Sequence, residues 1–142
     1  MSIGKGVLSY PRGMDRIPID ELLSEARSHL ERLDPRSAYE AVRGGALLVD
    51  VRDSGVRKSK GVLPDAIHIT LDVLEWRMDP DSGHQDPRVG GLDRQVIVVC
   101  SQGYSSSLAA RRLQTIGFSR ATDVVGGFDA WVAEGLPVQK PS

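Results

Sequence analysis

The chain has 142 residues, of which 40% are hydrophobic and 26% are charged, an ordinary composition for one globular domain. A formal net charge of −1 gives no electrostatic reason to bind nucleic acid or an anionic membrane, so neither is expected as a partner. No stretch reaches the roughly 18 apolar residues of a membrane span, and the N-terminus lacks the apolar run of a secretory signal. The single cysteine excludes an intramolecular disulfide, and we expect a cytoplasmic protein whose thiol stays reduced.

The first predicted element is an amphipathic helix within an N-terminal extension, residues 1–33. We expect residues 34–142 to form the main domain. In the extension, apolar residues recur at helical spacing between charged ones, at Ile19, Leu22, Leu23, Ala26, Leu30 and Leu33. This pattern favours packing on the protein's own domain over binding a partner.

Two short strands and two short helical segments are predicted next. Residues 34–45 begin with Asp-Pro, an N-cap followed by proline at the first helical position, and end on two glycines, which predicts a short helix. Residues 46–51 (ALLVDV) form the continuous apolar run that is typical of a buried parallel strand. Residues 66–69 (AIHI) predict another strand, and residues 71–78 predict a helical turn.

The second half of the chain again alternates strands with helices. Residues 79–94 predict a loop long enough to overhang a site. Residues 95–99 (QVIVV) predict a central strand, 105–116 a helix, 122–125 a strand, and 128–134 a last short helix. This alternation predicts an α/β fold with a parallel sheet covered on both faces, in which sites form at the carboxyl ends of strands.

Cys100, the only cysteine, directly follows the strand at 95–99. A turn at 101–105 can direct backbone N–H groups at its sulfur, and the helix that follows adds the positive end of its dipole. Gly103 permits such a tight turn, and the hydroxyls of residues 105–107 can cap the helix or donate to a bound anion. A half-buried cysteine that acts only as a small hydrophobe is the plain alternative. The order of strand, cysteine, glycine-containing loop and helix favours a thiol held as its reactive thiolate.

Other cysteine chemistries fit this sequence less well. A protease-type hydrolase needs a histidine base, but His29 lies in the predicted N-terminal helix and His68 lies in a strand. His84 lies in the long loop and could approach the site, but nothing in the sequence indicates that it does. A cysteine phosphatase needs an arginine at the end of the loop, whereas the position six after Cys100 is Ser106. One cysteine and three scattered histidines show no ligand spacing, so neither a metal nor a cofactor is predicted.

Four motifs, in order, resemble the rhodanese family of sulfurtransferase domains. They are LVDVR at 48–52, GVLPDAIHI at 61–69, CSQGYSS at 100–106, and VGGFDAW followed by GLP at 125–137. Together they run from about residue 47 to residue 138, which is most of the chain. The resemblance implies a three-layer fold in which a mostly parallel five-stranded sheet has helices on both faces.

The resemblance also implies a reaction, the transfer of a sulfane sulfur through a persulfide on Cys100. The substrate-binding loop would be Ser101, Gln102, Gly103, Tyr104, Ser105 and Ser106. The expected substrates are a small anionic donor such as thiosulfate and a cyanide or thiol acceptor. The loop lacks the arginine or lysine of many thiosulfate-selective members, which leaves the donor open. A regulatory module without turnover and a persulfide carrier served by a sulfur-relay protein are the alternatives.

Several residues outside the loop have expected roles. Asp50 and Arg52 follow a strand, and we interpret them as a structural ion pair rather than as catalytic groups. Trp76 and Arg77 follow the second strand and are candidates for the pocket mouth, where an arginine would attract an anionic donor. The basic cluster at 57–60 is interpreted as solvated surface.

Overall fold

Four parallel strands form the centre of the fold in the computed structural model, which describes residues 16–140. They are β1 (Leu47–Asp50), β2 (Ala66–His68), β3 (Val96–Val99) and β4 (Ala121–Asp123), in the spatial order β2-β1-β3-β4. The register places Val49 beside Ile67 of β2 and beside Val98 of β3. All three pairings are parallel, so the strands end at one common edge of the sheet. The predicted α/β class with a parallel sheet is confirmed.

The described residues form four strands rather than the expected five. At the outer side of β4, Leu33 makes a single parallel bridge to Val124. Its N–H donates to Asp123 O at 3.1 Å, and its carbonyl accepts from Val125 N at 2.8 Å. Pairing stops there because the next residue, Asp34, already caps a helix.

Six helices within residues 16–140 surround the sheet. They are α1 (Ile19–Arg27), α2 (Pro35–Arg43), α3 (Ser54–Lys60), α4 (Leu74–Met78), α5 (Ser105–Thr115) and α6 (Gly127–Ala133), with a short 3-10 turn at Leu71–Val73 just before α4. Among residues 16–140, no helix combines the length and the apolar character that crossing a bilayer requires.

The start of α2 follows the predicted chemistry. Asp34 accepts a hydrogen bond from Ser37 N at 2.8 Å, Pro35 opens the helix, and Gly44 follows its last residue. In contrast, α1 ends at Arg27 although apolar spacing continues to Leu33, because the chain turns at Ser28 and then extends to reach β4.

Helix α3 was not predicted from the sequence. Asp53 caps it by accepting hydrogen bonds from the N–H groups of Gly55 and Val56 at 2.8 and 3.1 Å. None of its side chains is buried, so it lacks the apolar stripe by which helices are recognised in a sequence.

Two apolar clusters, one on each face of the sheet, give the fold its three layers. Alternate residues of each central strand belong to opposite clusters, as Val49 and Leu48 of β1 do. One cluster includes Leu74 of α4 and Leu113 of α5. The other cluster consists of Ala38, Leu48, Leu63, Ile97, Val99, Val124, Phe128, Trp131 and Leu136. Burial on both faces explains why the strands are continuous apolar runs.

The N-terminal helix α1 packs against α5 on the first of these faces. Leu23 and Ala26 are its buried residues. Residues 1–15 of the predicted N-terminal extension lie outside the described residues. Helix α1 therefore contacts α5, the helix that begins just after the Cys100 loop.

Candidate active site

Cys100 lies at the carboxyl edge of the sheet, between the end of β3 and the start of α5. Its side chain faces a cavity of about 500 Å³. Three chain segments form the walls, one after each of β1, β2 and β3. The lining residues are Val51, Arg52, Asp53, Val56, Thr70, Leu71, Asp72, Cys100, Ser101, Gln102, Tyr104 and Ser105. The cavity thus lies where parallel strands end, as expected for this class of sheet.

The loop after Cys100 directs a backbone donor at the sulfur. The N–H of Gly103 donates to Cys100 Sγ over 3.1 Å. Gly103 has a φ of +86°, and a Cβ there would lie 2.7 Å from Gly126 N, so only glycine fits. The first turn of α5, beginning at Ser105, adds its dipole and its N–H groups on the same side.

Two carbonyl groups of the loop are held by the start of α6. Phe128 N donates to Cys100 O at 2.8 Å, and Asp129 N donates to Ser101 O at 3.0 Å. This contact needs glycine at 127, because a Cβ there would lie 2.5 Å from Cys100 O. The glycine pair of the last motif therefore supports the loop directly.

Burial and hydrogen bonding act in opposite directions on the pKa of Cys100. Burial is the largest single influence and would by itself raise the pKa of the thiol. Hydrogen bonds from the hydroxyls of Ser106 and Ser105, and from the N–H groups of Ser106 and Gly103, together outweigh it. The pKa of Cys100 is consequently lowered below its ordinary value, which favours the thiolate.

Ser106 is shared between two acceptors. Its hydroxyl donates to Asp123 Oδ2 at 2.7 Å, as does the hydroxyl of Ser107 at the same distance. A hydroxyl has one proton, so Ser106 can donate to Asp123 or to the Cys100 sulfur but not to both at once. Ser106 is fully buried and therefore stands behind the cavity rather than in its wall.

Asp50 and Arg52 form a buried, bidentate ion pair at the cavity, which Arg52 lines. Arg52 Nη2 lies 2.8 Å from Asp50 Oδ2, and Arg52 Nε lies 3.0 Å from Asp50 Oδ1. The same Nη2 donates to Gly61 O at 2.8 Å, and the guanidinium stacks 3.8 Å from the centre of the Phe128 ring. The pair thus joins the end of β1 to the chain before β2 and to α6.

The histidines lie away from Cys100. His68 Nε2 is 2.6 Å from Arg52 O, and its Nδ1 is 3.2 Å from Arg57 Nη1, so both ring nitrogens have protein partners. His29 is an exposed partner of Glu25. In the part of the chain that the structure describes, which includes His29, His68 and His84, no histidine lines the cavity.

Trp76 and Arg77 do not line the cavity, contrary to expectation. Arg77 Nη1 donates to His84 O at 2.7 Å, and its Nη2 lies 3.3 Å from Asp86 Oδ2. Trp76 is largely exposed to solvent. Helix α4 directs both residues away from Cys100, and the cavity wall is formed instead by the 3-10 turn that precedes it.

The loop at residues 79–94 does not overhang the cavity either. Asp86, at its centre, is held by Arg88 at 2.7 Å and by Arg77. At its end, Arg94 Nη2 donates to Gly45 O, just before β1. The loop is therefore anchored toward the amino edge of the sheet, opposite Cys100.

Several site residues were missed from the sequence. Asp53, Thr70, Leu71 and Asp72 follow the ends of β1 and β2, and the rule that parallel strands end at one edge would have indicated them. Arg27, Arg32 and Asp123 lie behind the loop, and no local signal marks the two arginines. Within residues 16–140, no group of three or more His, Cys, Asp or Glu side chains is arranged to hold a metal ion.

Comparisons with known proteins agree on a family. The model of the Rhodanese-like domain matches residues 34–134. A thiosulfate sulfurtransferase GlpE of Actinobacillus pleuropneumoniae serotype 3 is 35% identical over 108 residues, which is 75% of this chain and 91% of that protein. The protein of the same name from Pseudomonas syringae pv. syringae is 36% identical over 104 residues, which is 73% of this chain and 89% of that protein.

Two solved structures extend the similarity beyond the matched domain. A protein of unknown function from Rhodopseudomonas palustris, described as a possible tyrosine phosphatase, has a TM-score of 0.80 and 30% identity, covering 92% of this chain and 100% of its own. The polysulfide-sulfur transferase of Wolinella succinogenes, a homodimer, has a TM-score of 0.70 and 26% identity, covering 87% of this chain and 88% of its own.

Proposed function

The chain belongs to the rhodanese-like domain family and is a rhodanese-type sulfurtransferase, and we propose that it transfers the sulfane sulfur of thiosulfate through a persulfide on Cys100. The observation that most supports this role for Cys100 is the Gly103 N–H directed at its sulfur over 3.1 Å. A backbone donor placed in advance stabilises negative charge there without reorganisation.

The first step forms the persulfide. The Cys100 thiolate attacks the outer sulfur of thiosulfate, a new S–S bond forms, and the S–S bond of thiosulfate breaks. Sulfite leaves with the electron pair of that bond, and the terminal sulfur on Cys100 is an anion. The Gly103 N–H, which donates to Cys100 Sγ, and the positive end of the α5 dipole support this step, because both favour negative charge near that sulfur.

The second step returns the enzyme to its thiolate. A cyanide carbon or a thiolate sulfur attacks the terminal sulfur of the persulfide, and the S–S bond to Cys100 breaks. The electron pair of that bond returns to Cys100 Sγ, so no external oxidant or reductant is consumed. We place this cycle in the cytoplasm, because a reducing compartment keeps a lone thiol free between turnovers.

The charges of the cavity wall favour a second candidate, in which a sulfur-relay protein supplies or accepts the sulfur. The wall contains the carboxylates of Asp53 and Asp72, and the one cation that residues 16–140 contribute to it, Arg52, is already paired with Asp50. A small dianion such as thiosulfate therefore meets repulsion at the mouth. A persulfide or thiol on a protein with basic neighbours would be attracted instead.

Phosphatase chemistry is disfavoured, although one structural neighbour is described as a possible tyrosine phosphatase. Ser106 occupies the position where the loop would need an arginine, and its hydroxyl donates to Asp123. Arg27 and Arg32 contact the loop, but through the carbonyl of Gly103 and, for Arg27, through the ring of Tyr104. Hydrolysis of an aryl phosphate that disappears in Cys100→Ser would overturn this conclusion.

Steady-state formation of thiocyanate from thiosulfate and cyanide tests the proposed function. Because sulfite leaves before cyanide reacts, we expect parallel lines in double-reciprocal plots at varied cyanide. Cys100→Ser should form no thiocyanate above the uncatalysed rate. Intersecting lines, or activity that survives in Cys100→Ser, would contradict a persulfide intermediate at Cys100, and a regulatory module would give no turnover in either protein.

A further inference from the structure

We propose that Arg27 and Arg32 are positioning residues for Cys100: by holding the Gly103 carbonyl on the side of α1, they fix Gly103, whose own N–H donates to the sulfur, and turn the Tyr104 N–H to the opposite side of the loop. Both arginines precede residues 34–134, the part of the chain that the family model matches. The inference rests on the proposed function for its biological meaning, but its test measures only the reactivity of the Cys100 thiol.

Two guanidinium groups converge on one carbonyl oxygen. Arg27 Nη2 donates to Gly103 O at 2.7 Å, and Arg32 Nη2 donates to the same oxygen at 3.0 Å. Hydrogen bonds from charged donors are about twice as strong as neutral ones. With Cys100 O and Ser101 O held by α6, three carbonyls of the loop have donors outside it.

The direction of these carbonyls sets the direction of the N–H groups. In a trans peptide the C=O and N–H bonds point to opposite sides, and the Gly103–Tyr104 peptide is trans. Holding Gly103 O on the side of α1 therefore directs the N–H of Tyr104 to the other side of the loop. Hydrogen bonds to the oxygen also polarise that N–H and strengthen it as a donor.

Both arginines are themselves fixed by further contacts. Arg27 Nε donates to Ser107 Oγ at 3.0 Å, and its guanidinium stacks 5.5 Å from the centre of the Tyr104 ring. Arg32 Nε pairs with the fully buried carboxylate of Asp123 at 2.8 Å. Asp123 in turn accepts from Ser106, so Arg32 also acts on the residue whose proton is shared with the sulfur.

A matched pair of variants isolates the effect of Arg27. Arg43 also lies in the last turn of a helix, with its guanidinium 5.6 Å from the centre of the Tyr39 ring, but it does not contact the loop. Arg27→Met and Arg43→Met each keep an aliphatic chain over a tyrosine and remove the cation. The other charged groups around the loop and the cavity, on Arg32, Arg52, Asp53, Asp72 and Asp123, are the same in both variants.

The measurement is the rate of iodoacetamide alkylation of Cys100 as a function of pH. For Arg27→Met we expect the titration midpoint to rise by roughly half a unit to one unit, and the rate at pH 7 to fall about three- to tenfold. Above the pKa of both proteins the rates should converge, because the thiol is then ionised in each. Arg43→Met should match the wild type, and Arg27→Lys, which keeps the charge, should recover part of the loss.

A purely structural role for Arg27 gives a different result. It would lower the thermal unfolding midpoint of Arg27→Met without moving the titration midpoint of Cys100, and that outcome overturns the proposal. If Arg27→Met does not fold, Arg32→Lys tests the proposal instead. The lysine keeps a cation beside Asp123, but its side chain is too short to donate to both Asp123 and Gly103 O. An unchanged midpoint in a folded Arg32→Lys would overturn the proposal as well. Neither readout depends on sulfur transfer, so failure here is distinct from failure of the proposed function.

Discussion

Replacing Gly127 by alanine should damage the Cys100 loop as well as the turn that contains the glycine. Gly127 has a φ of +61°, and a Cβ there would lie 2.5 Å from Cys100 O and 2.8 Å from Gln102 N and Gly103 N. The left-handed conformation costs alanine about 1 to 2 kcal/mol. Overpacking against backbone atoms adds about 1 to 3 kcal/mol, so we expect the free energy of unfolding to fall by about 2 to 5 kcal/mol.

Gly135 supplies the matched control at the other end of α6. It also has a left-handed φ, +74°, but a Cβ there would meet no atom within 4 Å. Gly135→Ala should therefore cost only the conformational part, about 1 to 2 kcal/mol. The difference between the two variants measures the clash with the loop.

Urea denaturation gives the two stabilities, and alkylation of Cys100 against pH reports on the loop. Gly127→Ala should raise the pKa of Cys100, because the displaced loop no longer holds its N–H donor at the sulfur. Gly135→Ala should leave that pKa unchanged. Equal losses of stability, together with equal alkylation profiles, would refute the argument that the glycine turn supports the loop.

Two further predictions concern carboxylates outside the loop. The pKa of Asp86 is lowered to about 2, chiefly by its hydrogen bond from the Arg88 side chain. Its carboxylate therefore contributes its full stabilisation above the ordinary pKa of 3.8, and this contribution is lost as the pH falls toward 2. In urea denaturation at pH 7, the free energy of unfolding of Asp86→Asn should therefore be about 1 to 2 kcal/mol lower than that of the wild type, a range that allows for the exposure of Arg88. This difference should shrink below pH 3.8, and a difference independent of pH would contradict the prediction. Asp72→Asn should raise kcat/KM for thiosulfate about two- to fivefold at low salt and less at high salt, and an unchanged value would argue against repulsion at the mouth.

The features predicted well from the sequence are those whose chemistry is local. The N-cap Asp34, the proline after it and the two glycines at the end determine α2 within one short segment. Likewise, the order of strand, Cys100, loop and helix is contiguous in the chain, and the structure places them at the carboxyl edge as expected. Such features need no knowledge of distant partners.

The features that were missed depend on distant contacts or on the phase of a helix. Arg27 and Gly103 are 76 residues apart, and Arg32 and Asp123 are 91 apart, so no periodicity relates them. Arg77 follows β2 in the chain as predicted, but a side chain's direction on a helix changes by about 100° with each residue, and α4 turns it toward Asp86. Helix α3 has a cap but no apolar face, so the usual signal is absent.

The most direct test of a persulfide at Cys100 is the intact mass of the protein after incubation with thiosulfate. We predict that the wild-type protein gains the mass of one sulfur atom, and that cyanide or dithiothreitol removes it. Cys100→Ser should show no such gain. No adduct on the wild type, or the same adduct on Cys100→Ser, would contradict the persulfide mechanism.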